Sequence, residues 1–425
     1  MKKKSIIMLS IIVAIVLTFT GMIIINRHKD NKTTTYDDSY GYISGEFNLN
    51  LIKTVNETNE DNYLISPYSI EIALNMLKEG ARENTYDEIV NVVGDRKIND
   101  VIIKDHISVA NAGFIKNEYK KYIKKDYYNT LNNNYHSEIL YDDFKTPKVI
   151  NDWVKNKTNG MIDKILDNMD EDFVLGLANA IAIDVEWDSS FDCNSTTSQK
   201  FTKIDGTTMQ TEMMNNILEY TDAKYLENSD ATGVIIPYKK YNTDGKEVFE
   251  DGNNLEFVAI LPKDNVNTYI NNLNNQKLND LYKSAREVNE DFEIHLSLPR
   301  FKYDYELANF KDVLIKLGIK DAFNPNTADF TNIMDRNEEI RNIYVGEAIH
   351  KTHIDLNEKG TRAAAVTYFG MYKATGFMKE KEKAVITFNK PFIYMIKDAE
   401  TGELLFFGVV YEPNKWQGST CSENN

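Results

Sequence analysis

The apolar positions of this chain predict several helices between residue 47 and the C-terminus. Ser66-Pro67 precedes apolar residues at helical spacing, and a serine cap followed by proline in the first turn is typical of a helix start. An amphipathic pattern around Trp153, ended by Asn159-Gly160, predicts a second helix. Asn309–Leu317 repeats the helical spacing further along the chain.

Strand patterns lie between and after these helices. The apolar run Phe173–Ile183 is dense enough to predict a strand covered on both faces. Gly233–Pro237 and Leu255–Pro262 have the length and composition of short strands, and Pro391–Ile396 with Leu404–Val410 predicts a closing hairpin. Because helices and strands mix without strict alternation, we expect an α+β fold rather than a doubly wound sheet.

The N-terminal segment differs from the rest of the chain. Lys2, Lys3 and Lys4 precede the weakly polar to apolar run Ile6–Ile25, which as a helix would be about 30 Å long, the thickness of a bilayer core. Its length and its poor small-x-small motif favour a membrane anchor over a cleaved signal sequence, with the bulk of the chain outside. We therefore divide the chain into an anchor or signal (1–25), a polar linker (26–45), one domain (46–416) and a polar tail (417–425).

Composition excludes some partners. The chain of 425 residues carries 49 basic and 65 acidic residues, a formal net charge of −16, which repels phosphate backbones and anionic membrane surfaces. We therefore expect no nucleic-acid partner. The two cysteines, Cys193 and Cys421, do not by themselves identify the compartment, because Cys421 lies in the polar tail.

A search for catalytic motifs finds no nucleophile elbow, zinc-protease helix, C-x-x-C pair or phosphate loop. His350 and His353 have the spacing closest to a metal pair, but three residues apart they face opposite sides of the strand that the surrounding alternation predicts. The carboxylates are scattered, as on a solvated acidic surface. We expect no metal and no cofactor, and an enzyme is the less favoured class.

The segment between Asp355 and Phe388 combines conflicting local preferences. Three consecutive alanines favour a helix, whereas the four residues that follow favour a strand, so the segment suits a change of conformation. As a strand, it would place the small residues Thr361, Ala363 and Ala365 on one face, where they fit beneath a sheet against a packed core.

These residues resemble a known family. Glu358-Lys359-Gly360-Thr361 with the following alanines is similar to the hinge of the reactive-centre loop of inhibitory serpins. The stretch from Phe388 to Phe392, with Leu405–Gly408 and Pro413, resembles the C-terminal signature of that family. Asn62–Thr85 is similar to its first core helix, and the matches together run from about residue 47 to 416.

The resemblance implies roles for individual residues. Ser66, Ser69, Asn179 and His350 match the shutter of the family, and Trp187 matches its breach tryptophan. Glu358, Gly360, Thr361, Ala363 and Ala365 match the hinge.

The resemblance also implies a serpin fold of three β-sheets, about eight or nine helices and an exposed reactive-centre loop at about 358–387. The implied function is that of a suicide substrate, in which a target endopeptidase, a serine protease above all, is trapped as a covalent acyl-enzyme when the cut loop inserts into the main sheet. The expected protein is a monomer, extracellular or on the cell surface.

The scissile bond is predicted by counting. A count of seventeen positions with Glu358 as the first, as in many inhibitory serpins, ends at Ala374, so the favoured bond is Ala374–Thr375, which suits elastase-like or subtilisin-like enzymes. Lys373 is the alternative, for a trypsin-like enzyme, because the loop is longer than in common inhibitors. Tyr372, Phe377 or Met378 would suit chymotrypsin-like or papain-like enzymes.

Other readings of the chain stay open at this point. It can be a serpin that binds or stores without inhibiting, or a serpin directed at a papain-like cysteine protease. A membrane-tethered binding domain without a protease partner, or a hydrolase with an unrecognised site, is a more distant alternative.

Overall fold

A computed structural model of the chain describes residues 45–249, 252, 254–337, 342–361 and 381–415. The predicted anchor and most of the linker, the predicted scissile bonds and the polar tail lie outside these residues. Within the described residues no helix is both long and apolar enough to cross a membrane.

Eight α-helices lie in the described part of the chain, and the three helices predicted from sequence are among them. Ser66 caps the predicted first core helix through its side chain, which accepts a hydrogen bond from the Ser69 amide. Asn159 and Gly160 follow the second predicted helix with positive φ angles of 50° and 74°, the left-handed geometry that ends a helix. The helices are α1 (Glu46–Asn56), α2 (Pro67–Gly80), α3 (Glu83–Val93), α4 (Lys125–Asn134), α5 (Lys148–Lys157), α6 (Val266–Asn271), α7 (Asn275–Tyr282) and α8 (Phe310–Leu317).

The strands are numbered in chain order. The first nine are β1 (Tyr63–Ile65), β2 (Ile107–Lys116), β3 (Glu138–Asp142), β4 (Leu175–Ile183), β5 (Val185–Glu186), β6 (Thr197–Thr202), β7 (Thr208–Leu218), β8 (Lys224–Glu227) and β9 (Ala231–Pro237). The others are β10 (Leu255–Pro262), β11 (Arg286–Glu287), β12 (Phe292–Pro299), β13 (Phe301–Glu306), β14 (Lys351–Asn357), β15 (Gly360–Thr361), β16 (Glu382–Thr387), β17 (Phe392–Asp398) and β18 (Leu404–Val410).

These strands form four hydrogen-bonded groups. A seven-stranded sheet has the order β1-β18-β17-β10-β9-β8-β11, and a four-stranded sheet, which we name the outer sheet, has the order β16-β12-β7-β6. A three-stranded group β3-β2-β4 and a four-stranded group β13-β14-β15-β5 complete the set. Only Asp184 separates β4 from β5, so these last two groups form one layer, named here the main layer. With the main layer counted once, the described residues contain the three sheets that were expected.

The predicted closing hairpin is confirmed, because β17 and β18 pair antiparallel and are buried along their whole length. The prediction for Phe173–Ile183 is only half correct. Residues 175–179 of β4 are half-buried and residues 180–183 are buried, so only the second half of the strand is covered on both faces. The mixture of helices and sheets confirms the α+β fold class.

Candidate functional site

The end of the main layer nearest the predicted hinge is closed by a tight hairpin. β14 turns at Glu358 and Lys359 into the two-residue strand β15, whose Gly360 pairs with Asn357 and whose Thr361 pairs with Leu356. On its other side β15 pairs with β5. The first two residues after the turn therefore already occupy a strand position between β5 and β14.

Gly360 is required by the closeness of this packing. A Cβ atom at this position would overlap the carbonyl oxygen of Val185 and would lie 2.8 Å from the Cα of Glu186. The amide of Trp187, which follows β5, donates to the carbonyl oxygen of Lys359 at 2.9 Å. This hydrogen bond extends the backbone contact between the hairpin and β5 by one residue. Any side chain larger than that of glycine would push β15 away from β5.

Glu358 lies in the turn, and it is buried, with only 8% of its surface exposed. The Thr196 hydroxyl donates to its Oε1 at 2.7 Å, and the Arg300 guanidinium lies 3.5 Å from its Oε2. The amide of Phe191 donates to its carbonyl oxygen at 2.9 Å. A buried carboxylate with these partners fixes the turn in one conformation.

Thr361 ends the described part of the hinge, and it is also buried. Its hydroxyl shares a 2.6 Å hydrogen bond with the hydroxyl of Tyr238, a fully buried tyrosine whose pKa is raised by burial. The Tyr238 ring stacks on Trp187 at 4.6 Å between centroids, and the Trp187 indole N–H donates to the Asn357 carbonyl oxygen at 2.9 Å. Trp187 therefore binds β14 of the hairpin and Tyr238 binds β15, and the stacked rings join the two contacts.

Further down the main layer, Ser66 and His350 form the second part of the site. The Ser66 amide donates to Nε2 of His350 at 3.0 Å, so this nitrogen carries no proton. Burial lowers the pKa of His350 from 6.5 to about 4, which keeps the ring neutral at physiological pH. Ser66 and Ser69 are joined by the helix-capping bond, so the histidine is tied directly to the start of α2.

Asn179 lies on β4 and does not bond to His350. Its amide donates to the side-chain oxygen of Asn111 on β2 at 2.8 Å, and its own buried Oδ1 has no hydrogen-bond partner among the described residues. An unsatisfied buried oxygen costs stability.

One cavity connects the two parts of the site. No pairing within the described residues joins β4 to β14, although both strands contribute side chains to this cavity. The predicted residues that line it are Ser66, Ser69, Asn179, His350 and Thr361.

The site also contains residues that the sequence did not single out. Thr196, Tyr238, Arg300 and Asn111 contact predicted site residues from other elements, and no local pattern marks them. Conversely, Ala363, Ala365, Lys373, Ala374 and Thr375 lie outside the described residues. His353 makes a contact separate from that of His350, with its Nδ1 2.7 Å from Asp304, and no group of potential metal ligands occurs in the described part of the chain.

Comparisons with known proteins agree with this architecture. A family model described as Serpin (serine protease inhibitor) matches residues 43–413. Iripin-5 of Ixodes ricinus is 30% identical over 404 residues, which cover 88% of this chain and 95% of Iripin-5. The crystal structure of the thermophilic serpin Tengpin in the native state is 32% identical with a TM-score of 0.73, and the match covers 88% of this chain and 95% of Tengpin.

A more distant structure shares the fold alone. The complex of thyroxine-binding globulin with thyroxine is 23% identical with a TM-score of 0.69, and the match covers 89% of this chain and 99% of the globulin.

Proposed function

This chain belongs to the serpin family, and from that membership we propose that it inhibits a serine-type endopeptidase by acting as a suicide substrate. The observation that carries the proposal is the pairing of Gly360 and Thr361 between β5 and β14. Below this point no pairing among the described residues joins β4 to β14, and both strands line a common cavity. This arrangement supports the proposal that the chain beyond Thr361 enters the main layer between these two strands.

The proposed reaction begins with ordinary proteolysis. The serine Oγ of the protease attacks the carbonyl carbon of Ala374, the peptide bond breaks, and Thr375 leaves as a new amino terminus. An ester now joins Ala374 to the protease. The chain beyond Thr361 then enters the main layer, and the ester is trapped if insertion is faster than attack by water.

The hinge composition supports insertion. Thr361 is already buried in the layer, and the next residues expected on the same face, Ala363 and Ala365, are small. Small side chains can enter against a packed core at little steric cost. A serpin that only binds or stores has no need of such a hinge.

The scissile bond that we propose is Ala374–Thr375, with the bond after Lys373 as the alternative. The choice rests on a count of seventeen positions with Glu358 as the first. Glu358 is the residue that matches the start of the family hinge, and it lies in the hairpin turn. Ala374 suits a protease with a modest pocket, and Lys373 suits a trypsin-like pocket.

The proposed location is outside the cytoplasm, with residues 1–25 as an anchor or a signal. The lysines before the apolar run and its length support this location. Cys193 is disulfide-bonded, as is usual in an oxidising compartment.

The test is denaturing electrophoresis of the full chain in mild detergent after incubation with one protease of each class. The classes are elastase-like, subtilisin-like, trypsin-like and chymotrypsin-like serine proteases and a papain-like cysteine protease. A heat-stable covalent band with a serine protease supports the proposal, and mass spectrometry of the released peptide identifies the bond. Clean cleavage without such a band contradicts inhibition and favours a non-inhibitory binding protein, whereas a band with the papain-like enzyme alone changes the target class.

A further inference from the structure

The outer sheet carries apolar side chains on its solvent face. Its inward residues Ile294 and Leu218 are fully buried, as expected for a sheet with one face against the core. On the opposite face, Val385 of β16 and Ile217 of β7 are both register partners of His295 on β12. Val385 is 70% exposed and Ile217 is 49% exposed. The solvent-facing row of Val385, His295 and Ile217 therefore has an apolar residue on each side of the histidine, where polar residues are usual.

Tyr220 extends this row beyond the end of β7. It is 78% exposed and has a φ of 57°, a left-handed conformation that a bulky residue rarely adopts. The ammonium group of Lys381 lies 4.4 Å from the centre of its ring. The three residues Ile217, Tyr220 and Val385 are named here the apolar patch.

Charges around the apolar patch are paired within the chain. Lys381 lies 2.9 Å from Glu219, Lys383 lies 3.8 Å from Glu293, and Arg286 lies 2.5 Å from Glu382. The patch therefore offers apolar surface with little unbalanced charge. Such a surface selects a partner by aliphatic and aromatic contact rather than by electrostatic attraction.

The reactive-centre loop returns to the described structure beside this patch. Thr375, on the far side of the proposed scissile bond, is six positions before Lys381, and six residues span at most about 20 Å when fully extended. A protease of roughly 230 residues has a radius of gyration of about 17 Å. A protease bound to Ala374 and Thr375 therefore has its cleft within about 20 Å of Lys381, so the apolar patch is within reach of the protease surface around that cleft.

We propose that the apolar patch is a second contact surface for the target protease, which uses it before the loop is cut. This inference rests on the proposed function and adds a property of the partner. The target carries aliphatic or aromatic side chains on the surface beside the part of its cleft that holds Thr375 and the residues after it. The patch contributes to the choice of protease independently of the residue before the scissile bond.

The test compares the full chain with a triple variant, Ile217→Thr, Tyr220→Asn and Val385→Thr. Threonine keeps the β-branched shape that strands favour, and asparagine tolerates the left-handed conformation, so the fold is preserved. The measured quantity is the second-order rate constant for formation of the covalent band. We expect a decrease of tenfold or more, with an unchanged number of chains consumed per protease trapped. Ile102→Thr, at a 52% exposed isoleucine outside the patch, is the control and should leave the rate constant unchanged.

A second measurement separates contact from chemistry. A protease whose catalytic serine is replaced by alanine binds the loop without cutting it, and we expect the triple variant to raise its dissociation constant by a similar factor. Equal rate and dissociation constants for the triple variant and the unaltered chain would overturn the inference and leave the inhibitory function intact. A chain that forms no covalent band with any serine protease removes the proposed function and this inference together.

Discussion

The two ends of the main layer differ in how completely they are paired. At the hinge end, formed by β5, β15 and the end of β14, backbone bonds join every neighbouring strand, and Trp187 and Tyr238 cover the hairpin. At the shutter end, around Asn179 and His350, β4 and β14 face one cavity. Among the described residues no pairing joins these two strands, and the buried side-chain oxygen of Asn179 has no partner.

This difference would give the proposed insertion a direction. A strand that is already paired at Gly360 and Thr361 can extend only toward the shutter end, where no pairing among the described residues joins β4 to β14. Each further residue then adds hydrogen bonds without a new nucleation step. In the proposed mechanism the closed end positions the strand, and new strand pairing at the shutter end contributes free energy that favours insertion.

The largest effect is expected from a charge at the last described residue of the hinge. Thr361→Arg places a guanidinium in a position that is 5% exposed, where an unpaired charge is costly. Insertion should then be slower than hydrolysis of the ester. We expect the covalent band to be replaced by cleaved inhibitor on electrophoresis.

The matched control for that change is Lys359→Arg, a bulky cationic residue in the turn, where the side chain is only half-buried. The control should form the covalent band as the unaltered chain does. A normal band with Thr361→Arg would show that insertion does not pass through the position that Thr361 occupies.

A smaller effect is expected from charge reversal in the turn. Glu358→Lys removes the acceptor of the Thr196 hydroxyl and places a cation beside Arg300, whose side chain is 27% exposed. We expect the free energy of unfolding to fall by about 3 kcal/mol, as when one partner of a buried pair is lost. Urea unfolding measures the change.

Charge reversal at an exposed pair on the same layer provides the comparison. Lys302 and Asp355 join β13 to β14 at 2.8 Å, and the lysine side chain is 58% exposed. Lys302→Glu should cost less than 1 kcal/mol. Equal losses for Glu358→Lys and Lys302→Glu would contradict a special role for the hinge-end turn.

The elements that the sequence predicted correctly are those with long, regular patterns. The helix after Ser66 and the strands of the closing hairpin have enough positions for their period to be recognised. β5 and β15 have two residues each, too few to show any period, and only their tertiary partners define them as strands. The closed hinge end was therefore not foreseeable from alternation.

Contacts between residues far apart in the sequence could not be predicted from local patterns either. Tyr238 and Thr361 are 123 positions apart, and nothing in the local sequence of either residue indicates the other. The resemblance located Glu358 but not its partners Thr196 and Arg300, since partner positions depend on how the sheets pack. The chain beyond Thr361 lies outside the described residues, so the scissile bond stays a prediction.

At the shutter end, pH should change stability through His350. Its pKa is about 4 in the folded chain and 6.5 as the ordinary value, so between these values the unfolded chain binds the extra proton. Stability contributed by the neutral ring is complete above pH 6.5 and is lost as the pH falls toward 4. The loss from this group amounts to roughly 3 kcal/mol.

The variant His350→Gln isolates this contribution from that of the carboxylates. Glutamine keeps an acceptor for the Ser66 amide but does not titrate. Unfolding free energies measured from pH 7 to pH 4 should fall less steeply for the variant than for the unaltered chain. Parallel curves would indicate that His350 is accessible to protons in the folded state.

The smallest effect tests whether the hinge end is closed before any protease arrives. The hydroxyls of Tyr238 and Thr361 are each other's partners in a buried site, so Tyr238→Phe, Thr361→Val and the double variant form a thermodynamic cycle. We expect each single variant to lose about 1 kcal/mol and the double variant to lose less than the sum, because the second change removes a group already without its partner. Denaturant unfolding of the uncut chain gives the coupling energy. A coupling of zero would mean that the two hydroxyls do not meet in the uncut protein, so that both ends of the main layer are open and insertion starts without a preset first strand. A coupling near 1 kcal/mol would place Thr361 in the layer beforehand, and insertion would then begin at residue 362.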